Sequence, residues 1–266
     1  MSEPPHRRGC ALGIDLALRA WRDVGAAIVG WRGTRWTRWR TRVRRPQGEP
    51  TAAAVAAWID ALARESGARA VGLDGPLGWR DPDTPPALPG VGRRADYAVR
   101  AQAKVGAYGR CYPGTQLRWT AFCVDVFGEL LARDGVVLAN AEGAARAQPP
   151  PGGYLLLEVF PTACWRGSGL APLPSKRRSN VEVLAERAQA LRDAFGLPRR
   201  ATPGHDDLQA TVAALPAAAL VGGPAVAQAH GAPAGWRPTQ GQHPAHRVEG
   251  LVWTASPRRR GRGPHR

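Results

Sequence analysis

The sequence predicts one α/β domain built on a mixed β-sheet, three antiparallel strands followed by parallel ones, with helices on its faces. Three observations predict it. Three apolar or alternating segments come first, at 10–16, 24–29 and 34–45, joined by short connections, as antiparallel neighbours are. From residue 51 onward, helical periodicity alternates with short apolar runs, the order of parallel strands linked by crossover helices. The length of 266 residues and the 44% apolar content are enough for one sizeable core.

The first run, CALGIDL at 10–16, is bounded by Gly9 and carries Asp15 near its end; it reads as a buried strand. Residues 24–29 are the second strand, and Gly30 to Gly33 supply the turn into the third. In that third strand Arg38, Arg40, Arg42 and Arg44 alternate with Trp39, Thr41 and Val43, a period of two with one charged face. That face suits either solvent or a nucleic-acid backbone, and Trp36 and Trp39 suit either the core or stacking on bases. Residues 51–66 place Val55, Trp58, Ile59 and Leu62 on one helical stripe, and Gly67 fits the cap. AVGLD at 70–74 is a short strand that again ends in a carboxylate, stopped by Gly75 and Pro76.

Residues 80–150 form a large insertion after this fourth strand. It holds a Pro/Gly loop at 81–91, a short basic helix at 93–100, a helix at 120–133 with Phe122, Val126 and Leu130 at helical spacing, and a breaker at 148–153. YLLLEVF at 154–160 is a strong strand that carries Glu158. Residues 179–195 form a helix, with Ser179 and Glu182 as a capping box and Leu184, Ala188, Leu191 and Phe195 as its stripe. Another helix starts near Thr202 and Pro203 and runs until Pro216 kinks or ends it. Residues 232–246 read as polar, Pro-rich loop and 248–253 as a last strand. The expected organisation is a flexible basic leader at 1–8, one domain at 9–255 and a disordered basic tail at 256–266. There is no internal repeat.

The net charge is +16, and all but two of the 37 basic residues, Lys104 and Lys176, are arginine. Such a charge favours polyanionic partners, nucleic acid first; an arginine skew with abundant alanine also fits a GC-rich genome. The longest stretch without charged side chains, 208–236, contains three prolines and several polar residues, so it reads as helix and loop rather than a membrane span. The first eight residues have no apolar segment behind them, so no secretory signal is expected and the cytoplasm is the expected location. The four cysteines form no C-x-x-C pair, which argues against a zinc ribbon or a disulfide scaffold. His243 and His246 have no thiol or carboxylate near in sequence, so no zinc site is expected there.

The carboxylates carry the chemistry. Asp15 and Asp74 both stand at strand ends, and parallel neighbours would bring them together at the carboxyl edge, where open α/β sheets collect ligands. Two carboxylates that close repel, and a divalent cation relieves the repulsion. Asp206 and Asp207 stand near the start of the late helix, which holds acids ionised. A strand-end aspartate also serves as a turn former, and an acid at a helix start as a cap. Glu158 interrupts an apolar strand, so it requires a partner: either the site or a structural arginine. Arg93, Arg94 and Arg100 in the insertion, and Lys176, Arg177 and Arg178 before a helix start, are candidate phosphate contacts.

Four strings, GIDLA at 13–17, GLDGPLGW at 72–79, LEVFPTA at 157–163 and HDDLQA at 205–210, together resemble the domain of unknown function 429 family, described as predicted RNase H-like nucleases. The order of elements, with acids on the first and fourth strands and the last helix, resembles the RNase H-like superfamily. The similarity covers residues 9–253. It implies a metal-dependent hydrolase that cleaves phosphodiester bonds with two Mg²⁺ or Mn²⁺ ions held by carboxylates. Under this resemblance Asp15 and Asp74 match the acids of the first and fourth strands, and Asp206 the first acid of an H-D-x-x-D-A helix motif; Glu158 joins them as a catalytic candidate and Asp207 as a substitute metal ligand. The second acid of the motif falls on Gln209, a neutral amide, which makes the second ion doubtful and leaves a non-catalytic nucleic-acid-binding protein on the same fold as the alternative.

Overall fold

The structure, a computed structural model, describes residues 8–83, 92–140, 148–198 and 202–258. Nearly all of the expected leader, most of the 81–91 loop and the last eight residues of the tail lie outside the described residues.

The sheet has the expected mixed character. Strands β1 (Arg8–Asp15), β2 (Gly25–Arg32) and β3 (Arg35–Arg40) form an antiparallel meander. After helix α1 (Ala52–Ser66), strand β4 (Ala70–Asp74) returns parallel to β1. The insertion carries α2 (Arg94–Ala98), the short ribbon β5 (Lys104–Val105) and β6 (Cys111–Tyr112), α3 (Leu117–Leu131) and β7 (Val136–Leu138). Strand β8 (Tyr154–Val159) then pairs parallel with β4. Helices α4 (Pro161–Gly167), α5 (Val181–Phe195) and α6 (His205–Leu220) follow, and β9 (Ala225–Arg237) and β10 (His246–Pro257) close the sheet in the order β3-β2-β1-β4-β8-β10-β9. Strand β7 pairs with the first half of β8, on the edge that β10 takes at the second half. The arrangement is compatible with the RNase H-like sheet that the resemblance implies.

Side-chain alternation divides the core in two. Leu12, Ile14, Val71, Leu73 and Leu156 face α1 and α3. Leu155, Leu157 and Val159 face α6, together with the tryptophans of β2 and β3. Trp36 and Trp39 belong to this core, and Trp39 Nε1 donates to Thr211 Oγ1 at 2.9 Å; they are not a stacking surface.

Helix α6 sits unusually close to the sheet. A Cβ on Gly13 would come within 2.0 Å of Ala210 O, one on Gly72 within 2.2 Å of Ala213 O, and one on Gly25 within 2.1 Å of Asp206 O. Three glycines on three neighbouring strands therefore form a channel for the helix backbone. The helix answers with alanines, and every residue from Ala210 through Ala218 is buried.

Several sequence expectations change. Pro216 does not end α6, which runs to Leu220; a helix buried on every side is held by packing despite one missing N–H. Helix α5 is capped by Asn180, whose Oδ1 accepts from Val183 N at 2.9 Å, and not by Ser179, whose hydroxyl turns to the carbonyls of Pro174 and Ser175. Helix α3 begins at Leu117, and its buried stripe includes Cys123 and Phe127. The end of the 208–236 stretch read as helix and loop, and the start of the 232–246 loop, are instead the long strand β9. Its alanine and glycine content hides a strand, and its Pro233 falls in the register shift opposite Val248–Gly250, where no ladder bond is required. Strand β10 extends through Pro257, into the expected tail.

Gly72→Ala tests the channel. The added methyl meets helix backbone, which cannot yield as a side chain does, so stability in chemical denaturation should fall by about 3 kcal/mol. A loss under about 0.5 kcal/mol, the size of an ordinary surface change, would show that α6 can move off the sheet freely.

Candidate active site

Asp15 and Asp74 are directly paired residues in the β1–β4 register. Their side chains meet in a hydrogen bond at the carboxyl edge of the sheet, both partly buried. A hydrogen bond between two carboxyl groups needs a proton. Burial, then the charges of Asp74 and Asp206, push Asp15 well above the usual carboxylate range, with Lys176 opposing. Burial and the Glu158 charge push Asp74 up to about 7. Neither forms an ion pair with a basic side chain among the described residues. Cys123 lies beside them, against Gly75, and burial keeps its thiol protonated.

Asp206 comes to the same place from α6. Its backbone packs on Gly25, the β2 residue paired with Asp15. Its state is opposite to that of the pair. Burial alone would raise it, but hydrogen bonds from His205 and Lys176 leave it below its ordinary value. His205 Nδ1 lies 3.0 Å from Asp206 Oδ1, and Nε2 lies 2.9 Å from the Pro174 carbonyl. Lys176 Nζ bonds Asp206 Oδ2 at 2.5 Å and Asp23 Oδ1 at 2.9 Å. Asp23, in a short 3₁₀ turn between β1 and β2, carries no motif and was not legible in the sequence.

The other predicted residues are committed to other partners. Glu158 pairs across β8 with Leu73, so alternation turns it to the layer opposite α6. There it accepts from Arg93 Nη1 at 2.8 Å and Nη2 at 2.5 Å, and from Leu77 N at 2.8 Å. Arg93 also bonds Asp96 at 2.9 Å and is 2% exposed. Two carboxylates hold this buried guanidinium, so Arg93 is not open to a phosphate, and Glu158 has the structural partner that the sequence left as one option. Asp207 Oδ1 accepts from Arg45 Nη2 at 2.7 Å and Ala26 N at 3.1 Å; it ties α6 to β2 and is not turned to the Asp15–Asp74 pair. Gln209 Oε1 accepts from Trp165 Nε1 at 3.0 Å, a bond between α6 and α4. Arg94, Arg100, Arg177 and Arg178 are exposed. His243 and His246 pack against the Tyr108 ring, with centroids 5.4 and 4.7 Å away.

Among the described residues no three His, Cys, Asp or Glu side chains are arranged to hold one ion in common. The Asp15–Asp74 pair nevertheless fits a small hard cation. Mg²⁺ is commonly held by one or two carboxylates, with water and substrate phosphate completing its shell, and this pair has no positive charge of its own.

The pair also sets a pH dependence. Between its ordinary value and about 7, Asp74 holds more proton in the folded than in the unfolded chain. Stability of the metal-free protein therefore falls as pH rises from about 4 to about 7, then levels. Asp74→Asn should flatten the curve and exceed the wild type by roughly 2–4 kcal/mol at pH 8. Parallel curves for the two proteins in denaturation with chelator present would show that the pair is not strained.

Comparison with family models matches residues 13–233 to a family described as "Protein of unknown function (DUF429)". No curated protein and no solved structure matches the chain.

Proposed function

We propose that this chain, which belongs to the DUF429 family, is a divalent-cation-dependent hydrolase of phosphodiester bonds in nucleic acid. One observation carries the reading. Two partly buried carboxylates face each other at the carboxyl ends of adjacent parallel strands with no basic ion-pair partner among the described residues. Such an arrangement is costly in a core that needs only stability, and a cation between the two removes the cost.

Asp15 and Asp74 would hold the ion, with Asp206 at its edge. A bound Mg²⁺ or Mn²⁺ supplies Lewis acidity to a phosphate oxygen and lowers the pKa of water. The chain's own groups do the rest. Asp15 and Asp74 would give up their shared proton on holding the ion, so its binding would tighten as pH rises. In the net reaction one water is consumed: its oxygen joins phosphorus, the ester P–O bond breaks, and the departing oxygen ends protonated. Arg94, Arg100, Arg177 and Arg178, all exposed, are the proposed phosphate contacts; Arg93 is withdrawn from that role. The free state of all four cysteines supports a reducing compartment such as the cytoplasm. No helix of the described residues is long and apolar enough to cross a membrane.

A second reading has its own observation. Gln209 stands where the resemblance expects an acid, and it is engaged by Trp165. That favours a protein that binds nucleic acid without cleaving it. Labelled DNA and RNA oligonucleotides with millimolar Mn²⁺ separate the two. The hydrolase reading expects slow cleavage that Asp15→Asn reduces at least about 100-fold, the scale of losing a group that stabilises transition-state charge. Gel-shift binding with no cleavage of any substrate, by wild type and variant alike, would give the field to the binding reading.

A further inference from the structure

The Asp206 corner carries a cation of the chain's own. Lys176 Nζ spans Asp206 and Asp23, and its charge reaches Asp15. It does so from an exposed 3₁₀ turn, Lys176–Arg178, with its side chain 55% exposed. Both Asp206 oxygens are thereby engaged, with His205 at one and Lys176 at the other. One helical turn on, Gln209 offers no charge and is committed to Trp165. Among the described residues the two carboxylates of the first corner have no basic ion-pair partner, while the carboxylate of the second has Lys176. Position 209 supplies no anionic ligand, so a second divalent ion would need both Asp206 and Asp23 freed from the Lys176 ammonium.

We infer that Lys176 takes the place of a second divalent ion: its ammonium, held at the Asp206 edge by Asp23, neutralises phosphate oxygen there, and the chain works with one ion. This rests on the hydrolase reading above. An ammonium is a compact point charge that contacts phosphate well, and its exposure lets it reach a strand lying over the site. No proton leaves it in this role; it stabilises charge only. Asp23 is then a positioning residue, since it touches Lys176 and not the ion or substrate. Lys176 is also one of only two lysines in a chain with 35 arginines.

The test counts ions and measures substrate binding apart from turnover. Mn²⁺ is titrated calorimetrically into the full chain, the Lys176→Met and Lys176→Arg variants, and Asp74→Asn, with folding checked by thermal melting. The wild type should bind one ion, and Asp74→Asn should lose it. Lys176→Met should bind a second Mn²⁺ at least ten-fold more tightly than the wild type does, and Lys176→Arg should remain at one. Lys176→Met should also bind a non-cleavable phosphorothioate oligonucleotide, in Ca²⁺, more weakly by about ten-fold, with a salt dependence reduced by about one phosphate contact. A wild type with one ion whose count and oligonucleotide affinity are unchanged in Lys176→Met overturns the role of Lys176 and leaves the hydrolase reading standing. A wild type with two ions overturns it as well. A wild type with no ion at millimolar Mn²⁺ overturns both.

Discussion

The approach of helix α6 to the sheet fixes everything else at the site. Gly25, Gly13 and Gly72 lie under the helix on β2, β1 and β4, and a methyl on any of them would stand 2.0–2.2 Å from helix carbonyl oxygens. This is glycine used for close approach of two backbones rather than for a turn. Because Gly25 is the register partner of Asp15, the first turn of α6 is delivered beside the first-strand aspartate. Asp207 reinforces the docking through Ala26 N and Arg45. The glycine channel and the carboxylate cluster are thus one construction, with Gly13 two residues before Asp15 and Gly72 two residues before Asp74.

Charge in the protein is divided unevenly and with consequence. Glu158 and Asp96 share the buried Arg93, a closed triad that fastens the insertion to β8. Asp206 has His205 and Lys176. Among the described residues Asp15 and Asp74, partly buried side by side, have no ion pair with a basic side chain. In a low-dielectric setting such a pair either holds a proton between its members or recruits a cation. The surface, in contrast, is rich in arginine, so a polyanion that reaches the site meets attraction first and the unbalanced carboxylates afterwards.

Much of the fold was legible in the sequence because its periodicities are strong. The stripe of Val55, Ile59 and Leu62 with the Gly67 cap gave α1, and short apolar runs ending in aspartate gave β1 and β4. Strand β9 was hidden because alanine, glycine and proline carry little β signal; it is held by eleven ladder positions on β10, a contact far from visible in its own composition. At the site, motif position identified Asp15, Asp74 and Asp206, which the structure brings together. It could not say which way a side chain turns. Glu158 and Arg93 both stood as candidates, Glu158 with a structural arginine as its other option, and only the β8 register and the position of α2 reveal that they face each other. Asp207 and Gln209 illustrate the same limit, since one helical step decides whether a group meets β2, α4 or the carboxylate pair. Asp23 had no sequence signal, because its role arises only when Lys176 arrives from 153 residues away.

The most direct test of the account is a crystal structure of the protein soaked in Mn²⁺ and recorded with anomalous scattering from manganese. The account predicts one ion between Asp15 and Asp74 at the carboxyl edge of β1 and β4, with Lys176 still in contact with Asp206. No anomalous peak at that edge, or an ion held elsewhere while the two aspartates keep their mutual hydrogen bond, would contradict it.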